Sequence, residues 1–240
     1  MENKSIFSSI VLGIAFIIGI FIISNTWFSV KAADNVLSVT GSAKKAVVSD
    51  IVKWHTSFSR TVYEAALKTG YAQMKSDEAA VSAFLKKNGV TDAEMTISPV
   101  SMNEIYGYNK SAGEPVEYQL FQSVSIQSSD IQKIKNLSGN IEEIINQGVL
   151  FSNNSPEYYY SKLPEVRVEL LSDAVKDAKV RADNIAASTG KKVGSIKSAS
   201  MGVVQVLQPN STDISDYGNY DTSTIEKEIM VTVKTSFSLK

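Results

Sequence analysis

The chain has 240 residues, no cysteine, and 24 Lys+Arg against 25 Asp+Glu, a formal charge of −1. That composition excludes disulfides, thiol nucleophiles and thiolate metal sites. It also excludes a bulk electrostatic field strong enough to draw the whole protein to nucleic acid. Beyond the N-terminal segment roughly 205 residues remain, enough to bury about 70% of the unfolded surface, so neither cofactor nor covalent staple is needed to hold a fold.

No charged residue occurs from Ser5 to Val30, and Ile10–Ile23 is apolar apart from two glycines. A helix over Ile6–Phe28 would run about 34 Å, enough to cross a hydrocarbon layer of about 30 Å, with Trp27 and Phe28 at headgroup level. This predicts a membrane anchor in residues 1–33 and a soluble, extracytoplasmic domain over 34–240. A cleavable signal segment is the competing reading, since Val30, Lys31 and Ala32 offer a small-residue site. The length of the uncharged stretch favours the retained anchor. Lys31, Lys44 and Lys45 on its C-terminal flank argue against an outside location.

After the anchor, Val36–Gly41 and Val47–Ser59 read as strands, with Val52, Trp54, Thr56 and Phe58 on one face and Lys53, His55 and Ser57 on the other. A helix over Glu64–Asn88 carries Leu67, Tyr71, Met74, Val81, Phe84 and Leu85 at helical spacing, and Gly89 caps it. Strand-like runs follow at Met95–Tyr106 and Glu117–Gln127, joined by a hairpin-type loop from Gly107 to Pro115. Ser129 or Asp130 opens a second helix whose stripe is Ile131, Ile134, Leu137, Ile141, Ile144 and Ile145. A short strand near Val149–Asn153 leads into the tyrosines Tyr158, Tyr159 and Tyr160.

The third helix starts near Pro164 and ends at Gly190. Its stripe is Leu171, Ala174, Val175, Ala178, Ala182, Ile185 and Ala186, small enough to lie close against a neighbour. Strands at Lys192–Leu207 and Ile229–Leu239 end the chain, separated by the polar loop Gln208–Thr224. In the last strand Ile229, Val231, Val233, Thr235, Phe237 and Leu239 alternate with polar partners. With nothing after it, that strand is expected to be a free edge. The order predicts an α+β fold: one antiparallel-rich mixed sheet with helices packed on one face.

The stretch Ser172–Gly194 resembles the signature helix of the SIMPL-domain family: repeated Asp-Ala steps, a glycine, then a Val-Gly entry into a strand. Val39–Ala43 is similar to that family's first strand. Trp54–Ser59 and Phe84–Met95 resemble its membrane-anchored bacterial subgroup, and the likeness spans about Asn35 to Lys240. The resemblance implies an α+β fold and a cell-envelope location. Some members form ring-like homo-oligomers and others are linked to stress responses. It supplies no catalytic residues.

His55, the single histidine, has no evident serine and carboxylate partners and reads as the polar face of a strand. Ser42 to Lys45 matches S-x-x-K and Lys68 to Gly70 matches K-T-G, but the first follows a strand and the second falls in a helix, so both read as chance. Asp173, Asp177 and Asp183, interleaved with Lys176, Lys179 and Arg181, read as a solvated, salt-bridged face opposite the alanine stripe. Asp213, Asp216 and Asp221 lack calcium-loop spacing. Tyr106, Tyr108, Tyr118, Tyr158, Tyr159, Tyr160, Tyr217 and Tyr220 suit contact surfaces as well as packing. No catalytic, cofactor-binding or metal residues are assigned. The expected function is a membrane-anchored, extracytoplasmic assembly or interaction module, homo-oligomeric and linked to envelope or stress response; the alternatives are an envelope hydrolase with an unidentified site and a carrier of a small apolar ligand. The expected partners are further copies of the chain, an envelope protein, and the bilayer through Ile6 to Phe28.

Overall fold

The computed structural model describes the backbone of residues 2–33, with side chains at 12–27, and residues 35–105 and 115–240 in full. Tyr106, Tyr108 and all of the Gly107–Pro115 loop except Pro115 lie outside the described residues, as does the side chain of Lys31.

Helix α1 spans Glu2–Ala33, about 48 Å at 1.5 Å per residue. Leu12, Ile14, Phe16, Ile17, Ile18, Phe21, Ile22, Ile23 and Trp27 are each at least 54% exposed, and at about 100° per residue together they go right round the helix. A helix apolar on every side has no face prepared for water. Among the described residues, no helix is long and apolar enough to cross a membrane.

The rest of the chain is α+β, as expected, but it forms two sheets in place of one. The first contains β1 (Val36–Val48), β8 (Val193–Met201), β9 (Gln205–Leu207) and β10 (Glu226–Leu239). The second contains β2 (Ile51–Tyr63), β3 (Met95–Ile97), β4 (Ser101–Ile105), β5 (Glu117–Ser128), β6 (Leu150–Ser152) and β7 (Glu157–Tyr159). Every named strand pair is antiparallel. The split falls at Ser49 and Asp50. The Ser49 N–H goes to Ile225 O at 2.9 Å and the Asp50 N–H to Tyr159 O at 3.0 Å, so neither residue continues a ladder. The buried phase also changes there, from odd positions (Val39, Gly41) in β1 to even ones (Val52, Trp54, Thr56, Phe58) in β2. A one-residue slip turns a strand over, which suits a chain that leaves one sheet for another.

Other boundaries move for local reasons. The run from Met95 breaks at Pro99, which has no N–H to give a ladder. The second predicted helix becomes α3 (Ile131–Gly139) and α4 (Glu142–Asn146). The Asp130 side chain caps α3 by accepting from Lys133 N–H. Helix α2 (Leu67–Lys87) and α3 cover the inner face of the second sheet around fully buried Val52, Trp54, Phe58, Leu120 and Ile126. Arg60 grips Asp77 of α2 through two hydrogen bonds, of 2.5 and 2.8 Å.

Helix α5 (Leu163–Ser188) covers the first sheet. Ala174, Ala178, Ala182 and Ala186 are all buried, as their spacing predicts. The reason lies opposite them on β1. A Cβ at Gly41 would sit 2.1 Å from Ala174 O and 2.4 Å from Ala178 N. The helix backbone therefore rests on the strand backbone, and only a glycine under alanines permits that approach. Ile185, placed in the stripe by sequence, is instead 47% exposed.

The expected free edge is corrected. Strand β10 is central, paired to β1 along Val36–Val48 on one side and to β8 and β9 on the other. Its alternating residues are buried because α5 covers that face of the sheet, with Ile229, Val231, Val233 and Phe237 packed against Val166, Leu170, Ala174 and Ala182. The edges are β1 on one side and, on the other, β8 with the short β9.

Candidate functional site

His55 Nδ1 lies 3.0 Å from the Ser125 hydroxyl on the exposed face of the second sheet. Among the described residues no carboxylate hydrogen-bonds to that histidine, so the pair lacks the group that orients a catalytic base. Ser42 lies in β1 with Lys44 and Lys45 held by Glu228 and Glu169 at 2.7 and 2.6 Å. Gly70, the end of K-T-G, is buried in α2, where an added Cβ would meet Leu120 and Val62 at 2.9 Å. It is a packing glycine. Among the described residues no group of His, Asp and Glu is placed to hold a metal ion.

On α5, Lys176–Asp173 and Lys179–Asp183 pair at 2.9 Å on the exposed face. Asp177 departs from the expectation of a purely solvated carboxylate. Its Oδ2 accepts the Ser42 N–H at 2.8 Å as well as Arg181 Nε at 2.8 Å. It thus occupies a backbone donor on β1 and ties the edge strand to the helix.

The densest polar cluster joins the two sheets. Lys227, at the start of β10, has a fully buried side chain. Its Nζ donates to Asp221 O at 2.5 Å, to Thr224 O at 2.7 Å and to Asp221 Oδ2 at 3.2 Å. All three ammonium protons have acceptors. Burial pushes the ammonium pKa down, and Asp221 offsets it. For Asp221, burial acts upward but is outweighed by hydrogen bonds from Ser223, Thr224 and Lys227, which hold the carboxyl well below its ordinary range. A lysine with no free lone pair and every proton engaged is a clasp, not a nucleophile. The sequence carried a signal for it: Lys227 shares the odd phase of Ile229 and Val231, the buried face of β10.

Around this clasp the chain crosses between sheets. Ser161 donates from its N–H and hydroxyl to Asp50 at 2.7 and 2.6 Å. Tyr158 N–H reaches Thr222 O at 2.8 Å, and Tyr160 N–H reaches the Tyr220 hydroxyl oxygen at 3.1 Å. Lys53 Nζ stands 4.9 Å over the Tyr159 ring, and Tyr159 packs on Tyr220 at 5.7 Å. A hydrogen bond to Glu157, with burial, pushes the Tyr159 hydroxyl up to about 12. Tyr158 is buried, whereas Tyr217 is 97% exposed. The tyrosines therefore divide between joint and surface. Clefts of about 410 and 400 Å³ flank the joint. One is lined by Lys135, Tyr158, Ser223, Thr224 and Glu226, the other by Gln208, Asp213, Asn219 and Asp221. Asp213 and Asp221 line the second, while Asp216 lines a separate cleft with Gln205 and Thr232.

Among the described residues, both sheets leave their outer faces uncovered. In the first, Ser38, Ser236 and Ser198 form one cross-strand row and Thr40, Lys234 and Ser200 the next. In the second, Ser57, Ser123 and Ser152 share a row. Strand β8 is more open still, exposed at every position from Ser195 to Met201, with Ile196 at 50%. It pairs with β10 on one side through the regular run Ser198–Met201, then slips register on either side of Ile196.

A family model described as SIMPL, protein of unknown function (DUF541), matches residues 37–237. No curated protein matches the chain.

Proposed function

This chain belongs to the SIMPL family, and we propose that it is a membrane-anchored module that works by assembling with further copies of itself. The observation that carries the reading is β8, which is open on both faces and along its outer edge. An uncovered edge presents a row of unpaired N–H and C=O groups that another strand satisfies. The opposite edge, β1, is partly closed by the bond from Ser42 N–H to Asp177. Register slips bend β8 beyond Ser198, so the straight run Ser198–Met201 is the pairing segment. Helix α1 supports the anchoring half of the reading, because its described apolar side chains are exposed around the whole circumference. We propose that the domain after it lies outside the cytoplasm, a reading the family resemblance supports.

The test is the mass of the full chain released in mild detergent, beside a variant carrying Ile196→Asp and Ser200→Asp. Assembly predicts a multiple of the chain mass for the unaltered protein and a single chain for the variant, with the fold unchanged by circular dichroism. A single chain for both overturns the reading.

A further inference from the structure

We propose, resting on the anchoring of α1 in a bilayer, that the first sheet carries a second membrane contact: a lysine-hydroxyl surface that seats the domain on anionic lipid headgroups. The near-zero net charge of the chain hides a local imbalance. Asn35–Ser49, Asn184–Thr212 and Ile229–Lys240 contain no Asp or Glu, yet carry seven lysines: Lys44, Lys45, Lys191, Lys192, Lys197, Lys234 and Lys240. The fold brings these three segments together as β1, β8 and β10. Lys44 and Lys45 are paired with Glu228 and Glu169. Among the described residues the other five form no ion pair, and all five are exposed.

Their position is fixed by the chain. Lys192 and Lys240 exchange backbone hydrogen bonds of 2.9 Å, and Leu239 N–H reaches Asn35 O at 2.9 Å. Asn35 follows the end of α1 at Ala33 by two residues, a reach of at most about 7 Å. The end of the sheet that carries Lys191, Lys192 and Lys240 is therefore the end from which the anchor leaves, with Lys234 opposite Thr40 farther along the strand. Exposed Val36, Ile185 and Ile196 accompany it. Beside Lys234 the uncovered face presents Ser38, Thr40, Ser198, Ser200 and Ser236. Ammonium groups with adjacent hydroxyls suit phosphate oxygens, and an anionic surface held within one Debye length by a tether meets them at high effective concentration. A free phosphate has no such tether, so the lipid headgroup is the ligand.

The absence of cysteine makes a single-site probe clean. The full chain carrying Ser198→Cys, labelled with a fluorophore, is placed in nanodiscs of neutral lipid or of neutral lipid with phosphatidylglycerol, each with a headgroup-nitroxide quencher. Gln132→Cys, on exposed α3, is the reference. Seating predicts quenching at Ser198 in the anionic discs well above that in neutral discs, abolished by 0.5 M salt, with Gln132 unaffected. At about fivefold per lysine near an anionic surface, adding Lys234→Gln and Lys240→Gln lowers the ratio of seated to unseated domain roughly 25-fold. Equal quenching in both lipids, or quenching that survives those substitutions, overturns the seating while leaving the anchor standing. A chain that fails to enter either disc overturns the anchor and the seating with it.

Discussion

Gly41→Ala tests the packing on which the first sheet depends. The added methyl would begin 2.1 Å from Ala174 O, 2.4 Å from Ala178 N and 2.8 Å from Ala178 Cα. All three are backbone atoms of a continuous helix, so no side chain can swing aside. Relief requires α5 to lift by about 1 Å or more. A gap of that size forfeits a quarter to a half of each dispersion contact beneath it. The alanines at 174, 178, 182 and 186 are all fully buried or nearly so, and none is long enough to refill the space. A cost near the top of the usual overpacking range follows, about 3 kcal/mol. For a domain of this size each kcal/mol shifts the melting temperature by about 2–4 °C, so a fall of roughly 6–12 °C is expected. Gly139→Ala is the control, because nothing lies within 4 Å of its added Cβ. Differential scanning calorimetry on both variants decides. A Gly41→Ala melting point within 1 °C of the parent would refute the backbone-on-backbone contact.

Further substitutions probe other elements. Asp177→Ala should cost about 1 kcal/mol in urea denaturation by orphaning the Ser42 N–H, while Asp173→Ala should be near neutral. Lys227→Met leaves Asp221 buried without its cation and should cost about 3–5 kcal/mol, with Asp221→Asn added to it recovering part of the loss. Glu94, held by Ser128, by Thr91 and by Lys133 against the opposing effect of burial, has its pKa lowered from 4.5 to about 2. Its folded-state pKa is depressed, so its stabilisation is full above pH 4.5 and disappears as pH falls towards 2. The stability gap between the parent and Glu94→Gln should therefore be widest near neutrality and close over that window, as followed by denaturant titration at a series of pH values.

Periodicity made most of the fold legible. The alanine spacing of α5, the alternation of β10 and the buried face of β2 are each visible in the residues and are buried as that spacing requires. What stayed hidden were relations between segments. Strand alternation says which face is buried but not which strands flank it, so β10 passed for an edge when it is the centre. The split into two sheets was recorded only in a change of phase across Ser49 and Asp50, two residues inside what reads as one strand, Val47–Ser59. Asp177 shows the same limit. Its helix position marks it as solvent-facing, and only the placement of β1 beside α5 brings a backbone N–H to it. The joint at Lys227 was partly legible, because a lysine in the buried phase of a strand demands acceptors, but Asp221 and Thr224 as those acceptors depend on the path of the polar loop.

The proposed assembly is tested most directly by amide hydrogen exchange in β8, measured on the full chain in detergent at high and low protein concentration. A pairing edge predicts that the outward-facing amides within Ser198–Met201 are protected when the protein is concentrated and exchange rapidly on dilution, while those of central β10 stay protected throughout. Rapid exchange of the outward-facing amides of β8 at both concentrations, from a chain that sediments as a monomer, would contradict it.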